Sequence, residues 1–99
     1  MIERHWKGLA KKENKDKYIV YLTQQTFSKL QGIDGFLGSK ILTNDREEGV
    51  EFLIITLWES LDHIKSFAGE QINTAVVPQD VEEMMIDYEL HVTHYEVED

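Results

Sequence analysis

His94 sits in an alternating run, Tyr88–Val97 (YELHVTHYEV), that sets Tyr88, Leu90, Val92 and His94 against Glu89, His91, Thr93 and Tyr95. An imidazole on the apolar side of such a strand titrates near neutral pH and can act as a general acid or base. The bland alternative is a buried histidine satisfied by one hydrogen bond. His94 is therefore the candidate catalytic residue. A second alternating run, Ile2–Ala10 (IERHWKGLA), places Ile2, Arg4, Trp6, Gly8 and Ala10 on one face. Arg4 is the only basic residue on that face, and it can hold an anionic ligand or pair with a glutamate of a neighbouring strand. Trp6 and Trp58 are rigid and flat, suited to stacking on a planar substrate or to anchoring a core. With Tyr18 and Phe67 they complete the candidate substrate-binding set: Arg4, Trp6, Tyr18, Trp58 and Phe67.

Other chemistry-bearing residues carry less. His5 and His91 fall on strands expected to be neighbours, and two imidazoles can hold a metal, but their separation in sequence fixes nothing and no metal is assigned. The chain has no cysteine, hence no disulfide, thiolate nucleophile or Cys-based metal site. His63, between Asp62 and Lys65, reads as surface, and Met84 and Met85 read as gap fillers in a helix–sheet core. Gly35-x-x-Gly38 lacks a following helix and reads as the opening of a strand rather than a phosphate loop.

These residues need elements to hold them. After Ile2–Ala10, a polar turn at Lys11–Lys17 with Asn14 or Asp16 as cap leads into Tyr18–Gln31, where residues 18, 19, 22, 26 and 30 recur at helical spacing with Phe27 flanking. Gly32 to Gly35 is a loop, Phe36–Thr43 a strand, and Asn44–Gly49 an acidic hairpin connection. Val50–Trp58 (VEFLIITLW) is apolar at nearly every position except Glu51 and Thr56, which predicts a central strand buried on both faces. Ser60 caps a short helix with Leu61, Ile64, Phe67 and Ala68 inward and Gly69 at its end. Glu70–Pro78 is irregular, and Asp80 opens another short helix with Val81, Met84 and Met85 inward before the last strand.

The order β-α-β-β-α-(α)-β predicts an α+β, ferredoxin-like split βαβ domain over residues 1–99, with a four-stranded antiparallel sheet and helices on one face. The uncovered face would then carry much of Phe52, Ile54 and Thr56, or of Leu53, Ile55 and Leu57, an apolar patch too large to leave in water. Face-to-face pairing removes it, so a homodimer is expected.

Net charge is −9, from nineteen acids against ten bases, which argues against nucleic acid, whose phosphates need Lys and Arg. The acids, Asp99 among them, are mostly solvated surface. No apolar run approaches membrane-spanning length and no signal pattern is seen, so no membrane partner and a cytoplasmic location are expected.

Several dispersed motifs, in order, resemble the antibiotic biosynthesis monooxygenase family of dimeric α+β barrels. They are Trp6-x-Gly8, Gly35-Phe36-x-Gly38, Trp58-Glu59-Ser60, Phe67-Ala68-Gly69-Glu70, Ala75-Val76-Val77-Pro78 and His94-Tyr95-Glu96-Val97. The resemblance covers essentially the whole chain. It implies the fold and a dimer, but no single activity, since the family includes cofactor-free oxygenases, haem-degrading enzymes and members without an assigned reaction. The haem-degrading branch uses a histidine on the late helical segment, a tryptophan on the helix after the third strand and an asparagine on the first. Here Ile72–Met85 has no histidine, Phe67 stands at the tryptophan position and Trp6 near the asparagine position, a departure at all three. The cofactor-free branch binds a polycyclic phenol between sheet and helices. The resemblance thus implies a monooxygenase-like protein for an aromatic or quinol-type small molecule, with no cofactor. The alternative is a non-catalytic ligand-binding or stress-associated dimeric barrel whose cavity is filled by side chains.

Overall fold

A computed structural model of the chain describes residues 1–98; the solvated character expected of Asp99 lies outside them. The strands are β1 (Ile2–Ala10), β2 (Phe36–Asp45), β3 (Val50–Trp58), β4 (Met85–Tyr88) and β5 (Thr93–Glu96). The helices are α1 (Lys15–Tyr21), α2 (Phe27–Leu30), α3 (Leu61–Ala68) and α4 (Gln79–Met84). The sheet is antiparallel in the order β2-β3-β1, with β4 and β5 both on the far edge of β1. This is the α+β architecture expected, with helices on one face. No described helix is long and apolar enough to cross a membrane.

β3 is central, and its alternation sorts its two faces. Val50, Phe52, Ile54, Thr56 and Trp58 are buried beneath the helices. Glu51, Leu53, Ile55 and Leu57 lie on the open face, joined across the sheet by Leu9, His5 and Leu42 in register. Of the two face assignments left open by the sequence, the uncovered set is therefore Leu53, Ile55 and Leu57. The largest fully buried side chains are Trp58, Phe52, Leu30 and Ile64.

Three departures from the sequence reading shape the site. The first is in the long helical run. A π-helical turn, Leu22–Thr26, separates α1 from α2, and the buried positions are Tyr18, Leu22, Phe27 and Leu30. The extra residue of the π turn turns Phe27 inward where an unbroken α-helix would have buried Thr26. A phenyl ring has far more apolar area to remove from water than a threonine, which favours the shift.

The second departure is the last strand, expected to alternate without interruption over Tyr88–Val97. It is split instead: β4 pairs with residues 8–10 of β1 and β5 with residues 2–5. Between them the chain pairs with the segment before α4. Ala75 N–H donates to Leu90 O (2.9 Å), Val92 N–H donates to Asn73 O (2.8 Å), and Thr74 bridges to His91. Leu90, expected inward, is 65 % exposed. His91 faces Thr74 while His5 pairs with Thr93, so the two histidines are not cross-strand partners.

The third concerns caps. Ser60 occupies the N-cap of α3, but its hydroxyl bonds the His63 ring (Nδ1, 2.8 Å) rather than a backbone N–H. His63 is half-buried as a result, not free surface. Pro78, rather than Asp80, precedes α4, and Met85 begins β4 instead of ending the helix. Leu61, expected inward, is exposed.

Candidate functional site

Arg4 lies at the centre of the helix-covered sheet face, between Thr56 on β3 and His94 on β5. Its side chain is only 3 % exposed. A buried cation normally finds a carboxylate, and the sequence offered one as an alternative. No carboxylate pairs with it among the described residues. Neutral groups hold it instead. Nη1 donates to Ile72 O and, at 3.0 Å, to His94 Nε2, while Nη2 donates to Thr74 O at 3.1 Å. The carbonyls come from the strap, residues 72–75, that the split last strand holds in place. The guanidinium also lies 5.6 Å above the Phe67 ring, a cation–π contact. Burial lowers its pKa to about 10, which leaves it cationic at neutral pH.

Because a guanidinium only donates, His94 Nε2 must accept. That fixes the Nδ1–H tautomer, which donates to Asn73 Oδ1 at 3.2 Å. Burial first, and the charge on Arg4 second, push the His94 pKa below the ordinary histidine value. Both effects keep the ring neutral, as the hydrogen-bond pattern requires.

Above Arg4 is a cavity of about 390 Å³ between sheet and helices. Arg4, Trp6, Ile54 and Thr56 form its floor; Tyr18, Tyr21, Leu22, Gln25 and Thr26 wall it from α1 and the π turn; Ser66, Phe67, Val76, Pro78 and Val81 close the opposite side. Trp6 is anchored by Nε1–H donating to Glu89 O (2.8 Å). A Cβ on Gly8 would come within 2.6 Å of the Trp6 ring, so the Trp6-x-Gly8 pair lets the indole lie over the strand. Tyr18, 2 % exposed, packs edge-on to Phe52 with centroids 4.9 Å apart. Burial, and secondarily Tyr21, push its ionisation well above the ordinary tyrosine range, so it is a neutral phenol.

Of the six residues singled out from sequence, Arg4, Trp6, Tyr18 and Phe67 meet at this cavity. Trp58 and His94 stand outside its lining. Trp58 is fully buried beneath it, donating Nε1–H to Thr56 Oγ1 (2.9 Å), stacked 6.2 Å from Phe67 and edge-on to Phe36. It braces two lining residues. His94 stands beside Arg4 and steadies the guanidinium. Sequence reasoning missed Thr56, Tyr21, Gln25 and the strap carbonyls. Thr56 had a signal, a hydroxyl in an otherwise apolar buried strand, whereas the carbonyls had none because any residue supplies them.

Neither a protein-family pattern nor a curated protein sequence matches the chain. Among solved structures, it is similar to a Bacillus cereus protein described as a candidate antibiotic biosynthesis monooxygenase. The two share 15 % identity at a TM-score of 0.66, over 99 % of this chain and 91 % of that one. The resemblance read from dispersed motifs is thus met at the level of three-dimensional structure, and the chain has the fold of that protein.

Proposed function

We propose that this protein takes a flat aromatic or quinol-type molecule into the helix–sheet cavity and oxygenates it without a metal or tightly bound cofactor. One observation carries the reading: Arg4 is buried, has no carboxylate partner among the described residues and lies at the floor of an aromatic-lined cavity of ring-system size. Such a cation favours a ligand bound as its anion. An ionised phenol spreads its charge onto ring carbon, which can reduce dioxygen directly. An activated ring CH2 and O2 then become C=O and water, so the substrate supplies the electrons. In this scheme Trp6 and Phe67 hold the ring, Trp58 braces Phe67 from below, and Arg4 stabilises the anion. Tyr18, kept neutral, can donate its proton to the departing peroxide oxygen, and His94 acts by positioning Arg4.

The test is oxygen uptake across a set of quinols and flat phenols. Wild-type protein is expected to consume oxygen with at least one of them, and Trp6→Ala and Arg4→Met to fall to background. Tight binding without uptake would replace this reading with the second, a non-catalytic ligand-binding barrel. One observation favours that second reading: among the described residues no histidine or carboxylate lines the cavity to serve as a general base.

The open sheet face supports a second proposal, that two copies pair through it. Leu9, Leu53 and Leu57 are part-exposed there around a buried Ile55, and Leu42 and Tyr95 are exposed. Light scattering is expected to give twice the 11.6 kDa chain mass. Leu53→Asp would bury a charge in the pairing face and is expected to shift the population to monomer with little change in helix content. A monomeric wild type, or a dimer indifferent to Leu53→Asp, would remove the proposal.

A further inference from the structure

We infer that the ligand of this cavity is an aromatic carboxylate, held two-pronged by the free edge of Arg4 with its ring over the sheet floor. The inference rests on the reading above that the cavity is a ligand site. It goes further and revises one part of that reading: the anionic group that Arg4 holds is a carboxylate carried on the aromatic ligand, not the phenolate oxygen itself.

The donor count carries the choice. A guanidinium has five N–H groups, two on each Nη and one on Nε. Both Nη1 hydrogens are engaged, by Ile72 O and His94 Nε2, and one Nη2 hydrogen by Thr74 O. Ile72 and Thr74 lie two residues apart on one strap and take a hydrogen from each Nη, which is an end-on grip. What remains is one Nη2–H and the Nε–H, the side-on edge of the fork. Among the described residues no fully buried side-chain nitrogen or oxygen lacks a hydrogen bond, so Nε, for which none is found, is not sealed in protein. Arg4 lines the cavity, and in the inferred complex this free edge is directed towards it. Two parallel N–H groups at that spacing match the two oxygens of a carboxylate; a phenolate oxygen can satisfy only one well.

The charge around the cavity agrees. The chain carries nineteen acids against ten bases, yet among the described residues no Asp or Glu lines this cavity, while Arg4 and Lys29 both do. Lys29 is exposed and Arg4 is not, so one cation stands towards solvent and the other at the floor. Against the net negative charge of the chain, these two cations give an anion an attractive path into the cavity. His94 reinforces this. Locked as an acceptor towards Nη1, it adds no second positive charge beside the ligand but prevents the guanidinium from turning away.

Calorimetric titration of the full chain with 2-naphthoate, 2-naphthamide and 2-naphthol tests the inference. Naphthoate is expected to bind about tenfold or more tightly than the other two, as a charge-assisted two-point contact should. Arg4→Lys, which keeps the charge but removes the fork, is expected to lose most of that preference. Lys29→Gln is expected to weaken naphthoate only severalfold and to flatten its salt dependence. Equal or tighter binding of the amide or the naphthol, or a preference that survives Arg4→Lys, overturns the carboxylate assignment. Naphthol binding together with oxygen uptake overturns it while leaving the oxygenase reading intact. If none of the three probes binds to folded wild type, the inference and the ligand-site reading fall together. Circular dichroism of each variant shows that a lost preference is not lost fold.

Discussion

Trp58→Ala is expected to destabilise the protein by about 3–5 kcal/mol, the range for deleting a large buried aromatic. Trp6→Ala should cost about 1–2 kcal/mol and abolish ligand binding instead. The two tryptophans look alike in sequence, each on a β-like run, but their surroundings differ. Trp58 is fully buried, donates to Thr56 and packs against both Phe36 and Phe67. Its removal empties an indole-sized space in the largest aromatic cluster and leaves the Thr56 hydroxyl without its partner. Trp6 is half-buried, lines the cavity, and is anchored by Glu89 O and a tilted contact with the Tyr88 ring. Against the roughly 5–15 kcal/mol that holds a domain of this size folded, the first loss is severe and the second tolerable. Denaturant unfolding with the slope unchanged measures both. A Trp58→Ala cost below about 1 kcal/mol would mean that the cluster relaxes into the space, and the bracing role would be lost with it.

The same pair shows how far sequence could reach. The helix-facing set on β1 was legible because alternation alone places Arg4, Trp6 and Gly8 together, and a period of two survives any tertiary context. The central position of β3 was legible for a similar reason, since its apolar residues leave no face suited to water. What alternation could not supply was depth. Trp58 and Trp6 share the helix-covered face, but only the chain crossing above decides which of them meets the cavity.

His94 illustrates a further limit. Its face was read correctly, because it pairs with Arg4 in register. Its neighbours were not legible, because they depend on the strap at residues 72–75, whose sequence, INTA, has no helical or strand period. The strap is held by backbone bonds to residues 90–92, and those exist because the last strand breaks there. The π turn was hidden in the same way. Residues 18, 22 and 30 fit a regular helix, and only the competition between Thr26 and Phe27 for the core exposes the inserted residue.

Gly35→Ala is expected to cost about 3 kcal/mol and to lower the melting temperature by about 15 °C. Two separate terms add at this position. Gly35 has φ of +87°, a backbone conformation that penalises any side chain with a Cβ. A Cβ there would also lie 2.2 Å from Cγ of His63, which cannot simply swing aside because Ser60 holds its Nδ1. The backbone must keep this shape, since Gly35 O accepts from Glu59 N–H (2.9 Å) at the corner where β3 leaves the sheet for α3. A double-mutant cycle separates the two terms. His63→Ala opens the space but leaves φ unchanged, so Gly35→Ala in that background should cost only the conformational part, about 1–2 kcal/mol. A cost that stays the same in both backgrounds would show that the ring yields freely and that backbone conformation alone selects glycine. If the cost vanishes in the His63→Ala background, the corner can adopt another φ, and steric contact with the imidazole is the whole reason the position is glycine.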